Sequence, residues 1–212
     1  MSVAVRWLAA ATLVAACQHN INTPFPSGLE PLEADMASCP TDMTTEMISI
    51  TSTDSDYIRV YGCGYVQLAP AVVWPATHSP DPNVAICSTT SHTVDIDNQP
   101  QYEYSFLVHY EVDNVLTVTW DDQWRMGLIE GTEDAPTLGM IKHQKTDGSS
   151  FITLSEGTIQ VLATDDPDVT ELDFVEHLNA VEASTTDVIE GVTHNYNSLV
   201  AVSHGNPVPA CP

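Results

Sequence analysis

The feature that most constrains this chain is an alternation near its middle. Tyr102, Tyr104, Phe106, Val108, Tyr110 and Val112 occupy every second position over a full strand length. Side chains of a strand point alternately to its two sides, so this spacing demands a strand with one apolar face and something to bury it. Asp113-Asn114 then turns into Val115-Leu116-Thr117-Val118-Thr119-Trp120, closing a hairpin. Two further hairpins are expected, 140–143 with 151–154 about Asp147-Gly148, and 158–163 with 169–178 about Asp165-Asp166-Pro167-Asp168. Val169, Leu172, Val175 and Leu178 also fit a helix; the preceding turn and the shared face of Leu172, Phe174 and Leu178 decide for a strand.

Upstream, 47–50 and 57–61 alternate around a Ser/Thr/Asp turn and lead into Gly62-Cys63-Gly64. Cys63 between two glycines marks a place where backbones approach closely, so that a bridge can fit. Residues 66–90 carry Pro70, Pro75, Pro80 and Pro82 around Val72-Val73-Trp74 and read as a loop with an apolar plug. Near the C-terminus, Ser184-Thr185-Thr186-Asp187 offers an N-cap. Val188, Ile189, Val192, Tyr196, Leu199 and Val200 follow at helical spacing, with Gly205 and Pro207 as stop signals. The expected fold is mainly β, an antiparallel sheet or sandwich-like arrangement with one C-terminal amphipathic helix.

At the N-terminus Arg6 precedes an uncharged run, 7–16, that ends in Leu13-Val14-Ala15-Ala16-Cys17. The run is far shorter than the roughly 20 residues a membrane-spanning helix needs. This stretch resembles the lipobox of bacterial lipoproteins; an ordinary cleaved secretory signal is the competing reading. The resemblance implies loss of residues 1–16, acylation of Cys17 and export. Gln18, where an Asp would favour the inner membrane, points to the outer membrane, on its periplasmic or cell-surface side. Several acyl chains hold a protein firmly, each buried methylene adding about 0.8 kcal/mol. Residues 17–37, with three prolines, read as a tether, with an extended segment packed on the domain as the alternative. A disulfide-containing hairpin module over 38–90 and a β region with the helix over 91–212 follow, as two parts or one continuous domain.

With Cys17 acylated, Cys39, Cys63, Cys87 and Cys211 remain. An even number in an exported chain reads as two disulfides, and of three connectivities Cys39–Cys63 with Cys87–Cys211 is preferred. Zinc is disfavoured by wide spacings without a C-x-x-C pair. Cys39-Pro40 and Val60-x-Gly62-Cys63-Gly64-Tyr65 resemble a Cys-Pro…Gly-Cys-Gly module of lipoproteins from gliding predatory bacteria. The likeness covers about residues 38–66 and brings no activity with it; here the next Cys is delayed to Cys87.

Charge excludes more than it assigns. There are 29 acidic and 5 basic residues, net −24, and such a surface repels phosphate backbones, so no nucleic acid partner is expected. Solubility of an exported protein accounts for the excess; a saline habitat or a cationic partner are the other readings. Asp95, Asp97, Asp165, Asp166 and Asp168 supply hard oxygen ligands suited to calcium, yet serve equally well as turn residues. No other cofactor is expected. His109, His143 and His177 form a metal site only if adjacent strands bring them together. Glu176-His177 reads as a surface pair. The aromatic stripe from Tyr102 to Tyr110 reads as the buried side of a sheet before a carbohydrate-binding face. No nucleophile elbow, P-loop or dinucleotide fingerprint occurs, and no catalytic residue is assigned. The expectation is a lipid-anchored envelope protein with a non-catalytic binding or structural role, its partner an envelope protein or polysaccharide. A hydrolase of envelope polymers and a calcium-dependent surface adhesin are the alternatives.

Overall fold

A computed structural model describes residues 28–33, 38–84, 86–97, 99–113 and 117–211. Strand β1 (Ile48–Asp54) turns into β2 (Ile58–Val66), followed by helices α1 (Pro70–Thr77) and α2 (Pro80–Val84). Then come β3 (Ser91–Asp95), β4 (Tyr104–Asp113), β5 (Thr117–Thr132), β6 (Ala135–Gly148), β7 (Ile152–Ala163) and β8 (Thr170–Ala180), and last the helix α3 (Thr185–Ser203). All eight strands join in one antiparallel sheet in the order β1-β2-β8-β7-β6-β5-β4-β3. Because β2 pairs with β8, residues 38–90 and 91–211 share one sheet and one core.

The expected antiparallel sheet and C-terminal helix are both present, and the layer opposite the sheet is helical. Register partners face the same side of a sheet. Phe106 opposite Trp124, Tyr110 opposite Trp120 and Ile141 opposite Ile159 thus form the inner face, toward the helices. Of the aromatic stripe, Phe106 and Tyr110 lie on that buried side, almost fully enclosed, whereas Tyr104 is exposed and Tyr102 precedes β4, its ring facing Arg125.

The helix α3 starts at a capping box: the Asp187 amide donates to the Ser184 hydroxyl, and the Ser184 amide donates to the Asp187 carboxylate at 2.9 Å. It packs on β1, β2 and β8, and two glycines set how closely. A Cβ on Gly64 would lie 2.7 Å from the Tyr196 ring, and one on Gly62 would lie 3.2 Å from Val192. The Tyr196 hydroxyl donates to the Tyr65 carbonyl at 2.6 Å. The glycines of Gly62-Cys63-Gly64 therefore admit the helix, while Cys63 faces the other way to bond Cys39. The second bridge joins Cys87 to Cys211, so the pairing is the one preferred from the sequence.

Three segments differ from expectation. Residues 66–90 hold two short helices instead of a loop. Pro70 sits in the first turn of α1, where proline is tolerated, and Trp74 from that helix lies where a Cβ on Gly139 would come within 2.4 Å of its ring. The hairpin strands are far longer than their apolar alternation, because β5 and β6 continue through Asp122, Arg125, Lys142 and Lys145, which are buried polar residues. The chain around Asp95, read as a turn, pairs with β4 as the edge strand β3.

The described part of the expected tether, 28–33, lies against the outer face of the sheet. The Arg125 Nε donates to the Gly28 carbonyl at 3.0 Å and the Lys142 ammonium to the Glu30 carbonyl at 3.0 Å. Glu33 accepts from the Tyr61 hydroxyl and lies 3.5 Å from Arg59 and 3.0 Å from His177. In a chain this poor in cations, three of the four basic residues beyond Arg6 hold that strap.

Two glycine substitutions separate close approach from helix propensity. Gly64→Ala is expected to cost about 1–3 kcal/mol, since the added carbon also meets the Met47 carbonyl. Gly191→Ala, with nothing within 4 Å of its added carbon, should gain about 0.5–1 kcal/mol in α3. Urea unfolding followed by circular dichroism reads both.

Candidate ligand cavity and its buried acid–base centre

Because α3 rests on one end of the sheet, the inner face beneath it is only partly filled. A cavity of about 690 Å³ remains between sheet and helix, a volume typical of small-molecule sites. Its walls are Trp120, Trp124, Ile159 and Phe174 from the sheet and Val188 and Val192 from α3. Ile86, Phe151 and the β8–α3 connection through Val181 and Glu182 line its more exposed part, where Glu182 takes a left-handed conformation with φ 67°. The aromatic walls are braced: Tyr110 stacks on Trp120 at 5.0 Å and Phe106 on Trp124 at 5.8 Å.

Five ionisable residues line this cavity: Glu182 and Asp187 at the start of the α3 side, and three on the sheet. Asp122 (β5), His143 (β6) and Glu176 (β8) point to the cavity from three different strands. The imidazole of His143 stacks on Trp124 at 4.4 Å, its Nε2 lies 2.9 Å from Glu176 Oε2, and its Nδ1 lies 4.0 Å from Asp122 Oδ2. His143 and Glu176 meet across β7, which separates their strands, because Gly157 lies between them. A Cβ there would fall 2.1 Å from His143 Nε2 and 2.3 Å from Glu176 Oε2. The glycine is thus the gap through which the pair forms.

The electrostatics follow from burial. Removal from water pushes the Asp122 carboxyl up to about 7; His143 pulls it down, Glu176 adds to the rise, and Trp120 and Lys145 oppose it. For His143 burial works against the charged ring, yet the Glu176 carboxylate, by charge and hydrogen bond, and then Asp122 outweigh it and raise its pKa. Asp122 Oδ1, His143 Nδ1 and the indole N–H groups of Trp120 and Trp124 have no hydrogen-bond partner among the described residues. The Trp120 indole lies close enough to favour the Asp122 carboxylate without completing a hydrogen bond.

The histidines singled out from the sequence are not brought together. His143 faces the cavity, whereas His177 lies on the outer face between Glu33 and Glu156, and His109 is exposed there, 2.6 Å from Asp121. Strand alternation sends adjacent residues to opposite sides, which also splits Glu176 from His177, so they are not a surface pair. Asp97 is surrounded by donors: Ser105 Oγ at 2.8 Å, Gln123 Nε2 at 2.8 Å and Gln99 Nε2 at 3.1 Å. Asp95 is exposed at the end of β3, and Asp166 accepts from the Asp168 amide at 3.0 Å within the turn holding Asp165. Among the described residues, groups with metal-ligand spacing are Cys87 with His194 and Cys211, and Cys39 with Cys63, Glu171 and Asp173; their sulfurs are in the two disulfides. Cys17 lies outside the described residues. Asp122 gave no signal in the sequence, where Asp121-Asp122 looks like solvated chain.

No family model and no curated protein matches the sequence. Solved structures match in fold. The protein TTHA0849 from Thermus thermophilus does so with TM-score 0.50 and 11% identity, over 69% of this chain and 97% of that one. A STAR-related lipid transfer protein from Xanthomonas axonopodis matches with TM-score 0.49 and 7% identity, over 74% of this chain and 93% of that one. The ZhuI aromatase/cyclase from a Streptomyces species matches with TM-score 0.47 and 14% identity, over 69% and 93%. This is a likeness of fold alone: the helix-grip arrangement, an antiparallel sheet closed around a C-terminal helix.

The raised Asp122 carboxyl sets a pH dependence. The native state keeps a proton that the unfolded chain, with an ordinary carboxyl, releases between about pH 4 and about pH 7, so this contribution is present in acid and is lost as the pH rises. Asp122→Asn should therefore gain on the wild type by more than about 1 kcal/mol between about pH 4.5 and about pH 8 in urea unfolding.

Proposed function

We propose that this protein is a lipid-anchored envelope protein that binds an apolar small molecule between its sheet and α3, without transforming it. The observation that carries the binding role is the cavity itself, about 690 Å³ walled by Trp120, Trp124, Ile159, Phe174, Val188 and Val192. Apolar walls of this size lose free energy to water at roughly 25 cal/mol per Å² when left wet, so an apolar occupant is favoured.

The anchored location rests on the lipobox-like Leu13-Val14-Ala15-Ala16-Cys17. The strap at 28–33 supports it, because it leads the chain along the outer face, away from the cavity. Tether and ligand then occupy opposite sides of one sheet.

Both halves are testable. The neutral dye N-phenyl-1-naphthylamine should bind the full chain and take energy from Trp120 and Trp124. Gly191→Phe, which projects a ring from α3 into open space, should weaken the dye at least tenfold with the melting temperature retained; unchanged affinity would remove the cavity as the site. Cys17→Ala should move the chain from the membrane pellet to the soluble fraction, and continued sedimentation would refute the anchor.

A further inference from the structure

The walls of the cavity are apolar, but its ionisable centre is not, and the two together say what kind of occupant fits. Glu176 already faces His143 across Gly157 at 2.9 Å, so the charge of the imidazolium is answered. What is left over at the centre is one acceptor, Asp122 Oδ1, and two donors, His143 Nδ1 and the indole N–H of Trp120 beside Asp122, all without a partner among the described residues. Asp122 is 1% exposed and His143 8%. An unsatisfied buried polar atom costs about 1–3 kcal/mol, so the arrangement is complete only when something supplies both a donor and an acceptor.

The spacing suits a single oxygen. Nδ1 stands 4.0 Å from Oδ2, the second oxygen of the carboxyl whose Oδ1 is unpartnered, too far for a direct hydrogen bond, yet an oxygen at normal hydrogen-bond length of about 2.8 Å from the ring reaches the carboxyl group. A hydroxyl accepts from the ring N–H and donates to the carboxylate, whereas an ether or ketone satisfies only the donor. Full charges fit poorly. A carboxylate or phosphate would be placed beside Asp122 and Glu176 in a chain of net −24. An ammonium would be placed beside the His143 imidazolium, and it could not accept from the unpartnered Nδ1.

We infer that the Asp122–His143–Glu176 centre selects an uncharged, mostly hydrocarbon molecule bearing a hydroxyl at its buried end. This rests on the binding role proposed for the cavity and narrows it to a class of ligand: long-chain or polycyclic alcohols over fatty acids, amines and plain hydrocarbons. Asp122 and His143 hold the oxygen, Glu176 orients the imidazole, and Gly157 leaves room for that orientation. The burial that raises the Asp122 carboxyl suits the same ligand, because a carboxylic acid can exchange donor and acceptor roles with a hydroxyl.

The test is a matched series displaced against N-phenyl-1-naphthylamine on the full chain held in amphipol: 1-decanol, decane, decanoate and decylamine at about neutral pH. The alcohol is expected to compete at least tenfold more strongly than each of the other three. Asp122→Leu should cut the ratio of decanol affinity to dye affinity about tenfold. In the wild type, the Nδ1 resonance of His143 should shift on adding decanol and stay still with decane. Dye binding with no preference among the four, or a preference that survives Asp122→Leu, would overturn the hydroxyl assignment and leave only water at the centre, with the cavity reading intact. No dye binding at all would overturn the cavity reading itself. Should Asp122→Leu fail to fold, the wild-type series and the histidine resonance decide alone.

Discussion

The contact between Tyr196 and Gly64 sets the position of everything above the sheet. A helix normally stands off a sheet by the bulk of both sets of side chains, but here β2 presents no side chain at two of its inner positions. The Tyr196 ring lies directly against the strand backbone and its hydroxyl closes on the Tyr65 carbonyl. One end of the layer is thus drawn tight. Toward β4–β7 the sheet carries Trp120, Trp124 and Phe106 instead, while α3 packs chiefly on β1, β2 and β8. A helix close at one edge and a bulky face beyond it leave a wedge of space, which is the cavity. Its walls are held by aromatic stacking within the sheet, so the opening belongs to the sheet itself.

A second missing side chain does the corresponding work for chemistry. Alternating β-branched and aromatic residues would have sealed β7 between β6 and β8, but Gly157 lets His143 and Glu176 touch across it. The charge therefore sits among apolar walls without being isolated, since a buried ion is tolerable when paired. The opposite face shows the same economy with scarce cations. Arg59, Arg125 and Lys142, three of the five basic residues in a chain of net charge −24, are engaged with one six-residue strap.

Much of this architecture is legible in the chain, and the failures have physical causes. Period two shows wherever one face is apolar and the other solvated, as in β4, and the α3 stripe with its Ser184–Asp187 cap is equally plain. The pattern fails in β5 and β6 because their outer face is covered by residues 28–33, and side chains such as Arg125 and Lys142 are buried though charged. Proline-rich α1 hides because its helix is only 8 residues long and begins at Pro70. The site is hidden for a different reason. Asp122, His143 and Glu176 are far apart in sequence, and only the register of four strands and the gap at Gly157 makes them neighbours. His177 looks as good a site residue as His143, and strand parity alone, once the register is known, sends it to the other side.

The central claim is that the space under α3 is built to be occupied. Native mass spectrometry of the chain isolated from its source without organic solvent tests this most directly. The account predicts a second population heavier than the polypeptide, with whatever covalent groups it carries, by one apolar molecule, lost on extraction with organic solvent. A single mass that such extraction leaves unchanged, under conditions gentle enough to keep non-covalent ligands bound, would contradict it.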